Sequence, residues 1–82
     1  MNEGKNMQDV NNFMTELGRQ PLVHMTKPSD NEFKFTFTGG LLKALDKLTA
    51  IEAAIDRYLG ERYNVKTIYG DGLDVTFKVT EK

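Results

Sequence analysis

The chain has 82 residues, a net charge of −1 and no cysteine, and its pI is about 5.7. The length predicts one domain over residues 1–82. The absence of cysteine excludes disulfides and thiolate metal sites. The nearly balanced charge argues against a dedicated nucleic-acid-binding protein or a polybasic membrane-surface protein. The N-terminal segment lacks the apolar run of a signal peptide, and no stretch approaches the ~20 apolar residues of a transmembrane helix. These features predict a cytoplasmic protein that does not contact membranes.

The first predicted element is a short helix over residues 7–17. Residues 1–5 are polar and expected to be disordered, and Asn6 is the expected N-cap. Gly18 is expected to end the helix in a left-handed conformation, and Pro21 prevents it from restarting. The apolar residues with helical spacing are Met7, Val10, Phe13, Met14 and Leu17.

Two strands, over residues 22–27 and 32–38, follow this helix and are joined by a turn at 28–31. The second strand alternates clearly, with Phe33, Phe35 and Phe37 on one face. The glycine pair at 39–40 ends this strand and lets the chain turn into the next element.

A second helix is predicted over residues 41–59, with an extension to Tyr63 as an alternative. Its core arc comprises Leu41, Ala44, Leu45, Leu48, Ile51, Ile55, Tyr58 and Leu59. The opposite side offers a strip for protein contact, which we call the alanine strip: Leu42, Ala50, Ala53, Ala54 and Arg57. Packing against the first helix and the high helix propensity of alanine are the alternative explanations of this strip.

A second hairpin is predicted from strands at 65–69 and 73–80 around Gly70-Asp71-Gly72. A two-residue loop would turn Lys66 and Ile68 towards the core, whereas a three-residue loop with a left-handed Gly72 would turn Val65, Thr67 and Tyr69 inward. The three-residue loop is favoured because it keeps Lys66 out of the core.

The order of elements predicts an α+β fold of order αββαββ, in which a four-stranded antiparallel sheet carries both helices on one face. At an offset of 42 residues the two halves align without gaps, so that Leu17-Gly18 matches Leu59-Gly60 and Val23 matches Val65. An internal duplication with repeats at 6–38 and 41–80 is one explanation, and chance similarity between two αββ units is the other.

The sequence predicts no catalytic, cofactor-binding or metal-binding residues. His24 is the only histidine, and no phosphate-binding glycine motif is present. Glu52 falls within the apolar arc of the second helix, where a desolvated carboxylate would be a candidate acid or base. The alternative is that Glu52 reaches water or pairs with a cation such as Arg62 or Lys66.

The outer face of the sheet is a second candidate contact surface, marked by His24, Lys34, Lys66 and Lys78. Lysines on a sheet could meet phosphates, but single-strand RNA platforms also need outward aromatic rings. Here the phenylalanines are predicted to point inward.

These features favour a small non-enzymatic protein-interaction module, a regulator or inhibitor acting through a sheet face, a sheet edge or a helix surface. Its partner would be another protein or a second copy in a homodimer. The alternatives are a weak nucleic-acid-binding protein that uses the outer sheet face and a small enzyme built around Glu52 or His24. Small, near-neutral domains of this kind are common among phage and mobile-element proteins, which is an analogy of size and composition alone.

Overall fold

A computed structural model describes the backbone of residues 2–82 and the side chains of residues 8–82. The predicted α+β class and the order αββαββ are confirmed. The elements are α1 (Asn2–Leu17), β1 (Val23–Ser29), β2 (Glu32–Phe37), α2 (Leu41–Leu59), β3 (Tyr63–Tyr69) and β4 (Asp74–Glu81).

The first helix ends at Leu17 as predicted, but it begins five residues earlier than predicted. It begins at Asn2, so Asn6 lies inside the helix rather than at its N-cap, and residues 2–5 are helical; Met1 and the Met7 side chain lie outside the described residues. Gly18 is not left-handed, because among the described glycines only Gly39 and Gly40 have positive φ. A Cβ at Gly18 would lie 2.6 Å from the Cβ of Met25. Glycine is therefore required there for close approach of α1 to β1.

The sheet has the strand order β1-β2-β4-β3, and every neighbouring pair is antiparallel. The inward face of this sheet packs against both helices, and the predicted burial of Phe33, Phe35 and Phe37 is confirmed. The helices also touch each other, since the rings of Phe13 and Tyr58 stack with centroids 4.5 Å apart. The core comprises Val10, Met14, Phe33, Phe35, Phe37, Ala44, Ile51, Ile55, Leu59, Tyr63, Val75, Phe77 and Val79.

The second hairpin has the predicted facing but a longer turn. Thr67 pairs with Phe77 and Tyr69 with Val75, so the odd-numbered residues of β3 lie on the helix-covered side. Five residues, 70–74, separate the paired residues Tyr69 and Val75, where three were expected. The Gly70 amide donates to the Asp74 carbonyl at 3.1 Å, and the expected left-handed Gly72 is wrong. Lengthening a turn by two residues leaves the facing unchanged because side chains alternate with period two.

The strand pairing repeats with the same offset of 42 residues as the sequence alignment. In the hairpins, Val23 pairs with Phe37 and the equivalent Val65 pairs with Val79. The central β2–β4 pairing is symmetric about one pair of equivalent residues, with the partners Phe33–Phe77, Lys34–Thr76 and Phe35–Val75. The two hairpins are therefore related by an approximate two-fold axis, and the internal duplication stays a prediction.

The core face of α2 is narrower than the predicted arc. Leu41, Leu45 and Tyr58 are exposed, although each lies within that arc. The helix is amphipathic, but only part of the predicted arc is buried. The residues of α2 that are buried are Ala44, Ile51, Ile55 and Leu59. Over residues 2–82, neither helix has the length and apolar character needed to cross a membrane.

Candidate functional site

Four exposed apolar side chains surround a groove of about 210 Å³ between the start of α2 and the β3–β4 turn. They are 60% exposed at Leu41, 49% at Leu45, 64% at Tyr69 and 36% at Leu73; we call these four residues the leucine patch. Buried Phe37 contributes to the lining. The sequence pattern placed two of these leucines in the core, so only the tertiary packing identifies the patch.

A second and more polar groove of about 320 Å³ lies between α2 and β3, and we call it the α2–β3 groove. Its helical wall carries Glu52 and Asp56, one turn apart, and its strand wall carries Val65 and Thr67. The remaining lining residues are Ile55, Gly60, Tyr63, Asn64, Phe77 and Lys82.

Tyr69 connects the two grooves. Its ring belongs to the leucine patch, and its hydroxyl donates a hydrogen bond to Oε2 of Glu52 at 2.8 Å. This hydrogen bond, together with the negative charge of the same carboxylate, raises the pKa of Tyr69 above its usual value of 10.0. Glu52 is half-buried, and it pairs with neither of the two cations that the sequence suggested. Arg62 lies 5.6 Å from the centroid of the Tyr63 ring, and Lys66 lies on the outer face of the sheet.

Comparison of the two halves explains why the α2–β3 groove exists. In the first half the residue that follows α1 approaches the edge strand closely, because a Cβ at Gly18 would lie 2.6 Å from the Cβ of Met25. Val10 and Met14 are completely buried there. In the second half the three positions equivalent to Val10, Met14 and Met25 carry Glu52, Asp56 and Thr67. Polar side chains do not fill the space between helix and edge strand, so a groove remains.

The outer backbone edge of β3 borders the α2–β3 groove. In an antiparallel ladder, residue pairs that exchange backbone hydrogen bonds alternate with pairs that do not. The Gly70 amide bonds to the Asp74 carbonyl, so the even-numbered residues of β3 are the ones that bond to β4. The peptide groups of Val65 and Thr67 therefore face away from the sheet, and nothing else in the described part of the chain pairs with them. This edge is available to another strand.

The alanine strip lies apart from both grooves. Leu42, Ala50, Ala53 and Arg57 are exposed, and Ala54 is half-buried. Ala54 lies one helical turn from Tyr58, which stacks on Phe13 of α1.

The outer sheet face carries the four predicted residues, but acidic side chains lie among them. Lys34 forms an ion pair with Asp74 at 3.5 Å, and Lys78 lies opposite Glu32 in the β2–β4 pairing. Lys66 lies opposite Lys78. The alternation that placed Phe33 and Val75 inside also places Glu32 and Asp74 outside, and the sequence interpretation did not use this signal.

His24 is exposed on the outer sheet face, whereas Glu52 lies on the helix-covered side. The sheet separates the two side chains, so they cannot act on one substrate together. Within the described residues, no cluster of three or more histidine, aspartate or glutamate side chains could hold a metal ion.

No family model, no curated protein and no solved structure matches this chain. The structure defines it as a small α+β fold with two αββ units and an open sheet edge. Any functional conclusion therefore rests on the surfaces described above.

Proposed function

We propose that this protein is a non-enzymatic interaction module whose leucine patch binds an apolar segment of another protein. The observation that carries the proposal is the groove of about 210 Å³ with four exposed large side chains around it. Complete burial of a leucine side chain stabilises a complex by about 1.5–3 kcal/mol. Exposed apolar patches on monomeric proteins often mark binding surfaces.

The small volume of the groove favours a short foreign segment over a second copy of the chain. A stable interface buries about 800 Å² on each partner, whereas the largest apolar patch on a typical monomer covers about 300–600 Å². A groove of about 210 Å³ accommodates one or two inserted side chains. The partner therefore contributes an apolar anchor together with flanking contacts outside the groove.

A module of this kind acts as a regulator or inhibitor by occupying an apolar surface that its partner needs. The proposal places it in the cytoplasm, as expected for a chain without cysteine. Blocking of a host factor by a phage or mobile-element protein is the setting that the analogy of size suggests.

Two alternatives rank below this proposal. Binding of nucleic acid by the outer sheet face is disfavoured because Lys34 is paired with Asp74 and Lys78 lies opposite Glu32. Titration with DNA and RNA at low salt tests it, since phosphate contacts are strongest there. An enzymatic site is disfavoured because His24 and Glu52 lie on opposite sides of the sheet.

The test compares two matched substitutions on α2, Leu45→Arg in the leucine patch and Ala53→Arg in the alanine strip. Both positions are exposed, so each substitution should change the free energy of unfolding by no more than about 1 kcal/mol. The proteins that co-purify with each variant from native cells are quantified by mass spectrometry. Light scattering reports the mass of each purified variant.

We expect that at least one partner protein co-purifies with the wild-type protein and with Ala53→Arg but not with Leu45→Arg. A partner lost only by Ala53→Arg would assign binding to the alanine strip instead. If every captured protein is retained by Leu45→Arg, the leucine patch is not the binding surface. A dimeric mass that Leu45→Arg converts to a monomeric mass would replace the foreign partner by a second copy.

A further inference from the structure

We infer that the α2–β3 groove and the open edge of β3 together form a second binding site, which takes an extended segment of another protein with an arginine or lysine at an inward position. This site is separate from the leucine patch. Its test does not depend on the outcome of the proposal above.

Strand addition is favoured by the geometry of the edge. The outward peptide groups of Val65 and Thr67 offer donors and acceptors at the spacing of a β-ladder, and main-chain hydrogen bonds of this kind provide affinity in strand-addition complexes. Successive side chains of an added strand alternate between the two faces of the sheet. Every second side chain of the added segment would therefore enter the space beneath α2.

The charge of the groove specifies which side chain enters. Glu52 and Asp56 are spaced by four residues and therefore lie on the same face of α2, where both line the groove. Neither carboxylate has an ion-pair partner among residues 8–82; Glu52 instead accepts the hydrogen bond from Tyr69. The cation that lines this groove, Lys82, also lines a neighbouring hollow with Arg62 and forms no ion pair with either carboxylate. A cationic side chain is the group that these acceptors would bind best.

A second copy of this chain does not supply the required cation through β3. The inward residues of β3 next to the groove are Val65, Thr67 and Tyr69, so an added second copy of β3 would place apolar and neutral groups against the carboxylates. The inward lysine of β1, Lys27, is already engaged: its Nζ donates to Oδ1 of Asn11 at 2.6 Å and lies 5.0 Å from the centroid of Phe33. The complementary segment therefore belongs to another protein.

The experiment titrates the full-length ¹⁵N-labelled chain with two short blocked peptides of alternating valine and threonine. One peptide has a central arginine, and the control has citrulline, whose urea group keeps the shape and three of the five N–H donors but lacks the charge. We expect both peptides to shift the amide resonances of Val65 and Thr67. The arginine peptide should bind about three- to tenfold more tightly at low salt.

Two variants distinguish the contribution of the groove carboxylates to peptide binding from the contribution of the β3 backbone edge. The double variant Glu52→Gln/Asp56→Asn should bind both peptides equally while keeping the shifts along β3, and Leu45→Arg should bind like wild type. Absence of shifts at Val65 and Thr67 with either peptide overturns strand addition. Equal affinity of the two peptides for the wild-type chain overturns the cation preference, and this comparison stands even if the double variant does not fold.

Discussion

Replacing polar residues of the α2–β3 groove by their counterparts from the first half should close the groove. The double variant Asp56→Met/Thr67→Met carries at these positions the residues found at Met14 and Met25. In the first half these methionines pack between helix and edge strand, and Met14 is completely buried. We therefore expect the variant to be more stable than the wild-type protein.

The magnitude follows from the volume and the openness of the groove. A space of about 320 Å³ is large enough for two methionine side chains. Complete burial of each would contribute about 1.5–3 kcal/mol. Because the groove opens along the β3 edge, about half of that burial is achieved. The gain for the pair is then about 1.5–3 kcal/mol. Removing the exposed Asp56 carboxylate costs about 0.5 kcal/mol, so the net gain is about 1–2.5 kcal/mol.

Urea denaturation followed by circular dichroism measures this gain. With a slope of about 1–1.5 kcal/mol/M for a chain of this size, the midpoint should rise by about 1 M or more. The matched control Asp56→Ala/Thr67→Ala removes the same polar groups without filling the space, and its midpoint should not rise. A midpoint of the methionine variant at or below that of the wild type, with an unchanged slope, would refute the equivalence of the two halves. The methionine variant should also fail to bind either peptide.

Two further predictions concern the tyrosine contact and the core. The substitution Glu52→Gln should lower the pKa of Tyr69 towards 10.0, and the Tyr69 ring resonances measure this change. Because the pKa of Tyr69 is raised in the folded state, the contact with Glu52 stabilises the fold below pH 10. This stabilisation is lost as the pH rises through the raised pKa. An unchanged pKa would show that Glu52 is not its cause. The substitution Phe35→Ala should lower the free energy of unfolding by about 3–5 kcal/mol, out of a total near 4–12 kcal/mol. A double-mutant cycle with Phe77→Ala should give a coupling energy of about 0.5–1.5 kcal/mol, because the two rings meet edge-to-face with centroids 5.6 Å apart. Urea denaturation checks both values, and a cost for Phe35→Ala below about 1 kcal/mol would contradict the core position of this ring.

The sequence alone was sufficient for the class of fold and for the inward face of each strand. Alternation with period two predicts burial on one side whatever the neighbouring strand is, so Phe33, Phe35 and Phe37 could be assigned to the core from β2 alone. For β3, alternation left two facings open, and the choice that keeps Lys66 out of the core gave the facing of Val65 and Thr67 correctly, although the turn beside them was wrong. The gapless offset between the halves also reappears in the strand pairing, because equivalent hairpins bury equivalent positions.

Only the tertiary structure decided which surfaces remain open. The helical arc predicts that Leu41 and Leu45 face the core, but both are exposed, because burial depends on how far the sheet extends under α2. The sequence alignment pairs Asp56 with Met14, yet whether this exchange leaves a filled contact or a groove depends on the distance between helix and strand. The open edge at Val65 and Thr67 follows from the strand order β1-β2-β4-β3, which no local pattern encodes, because strand order is determined by how the two hairpins meet.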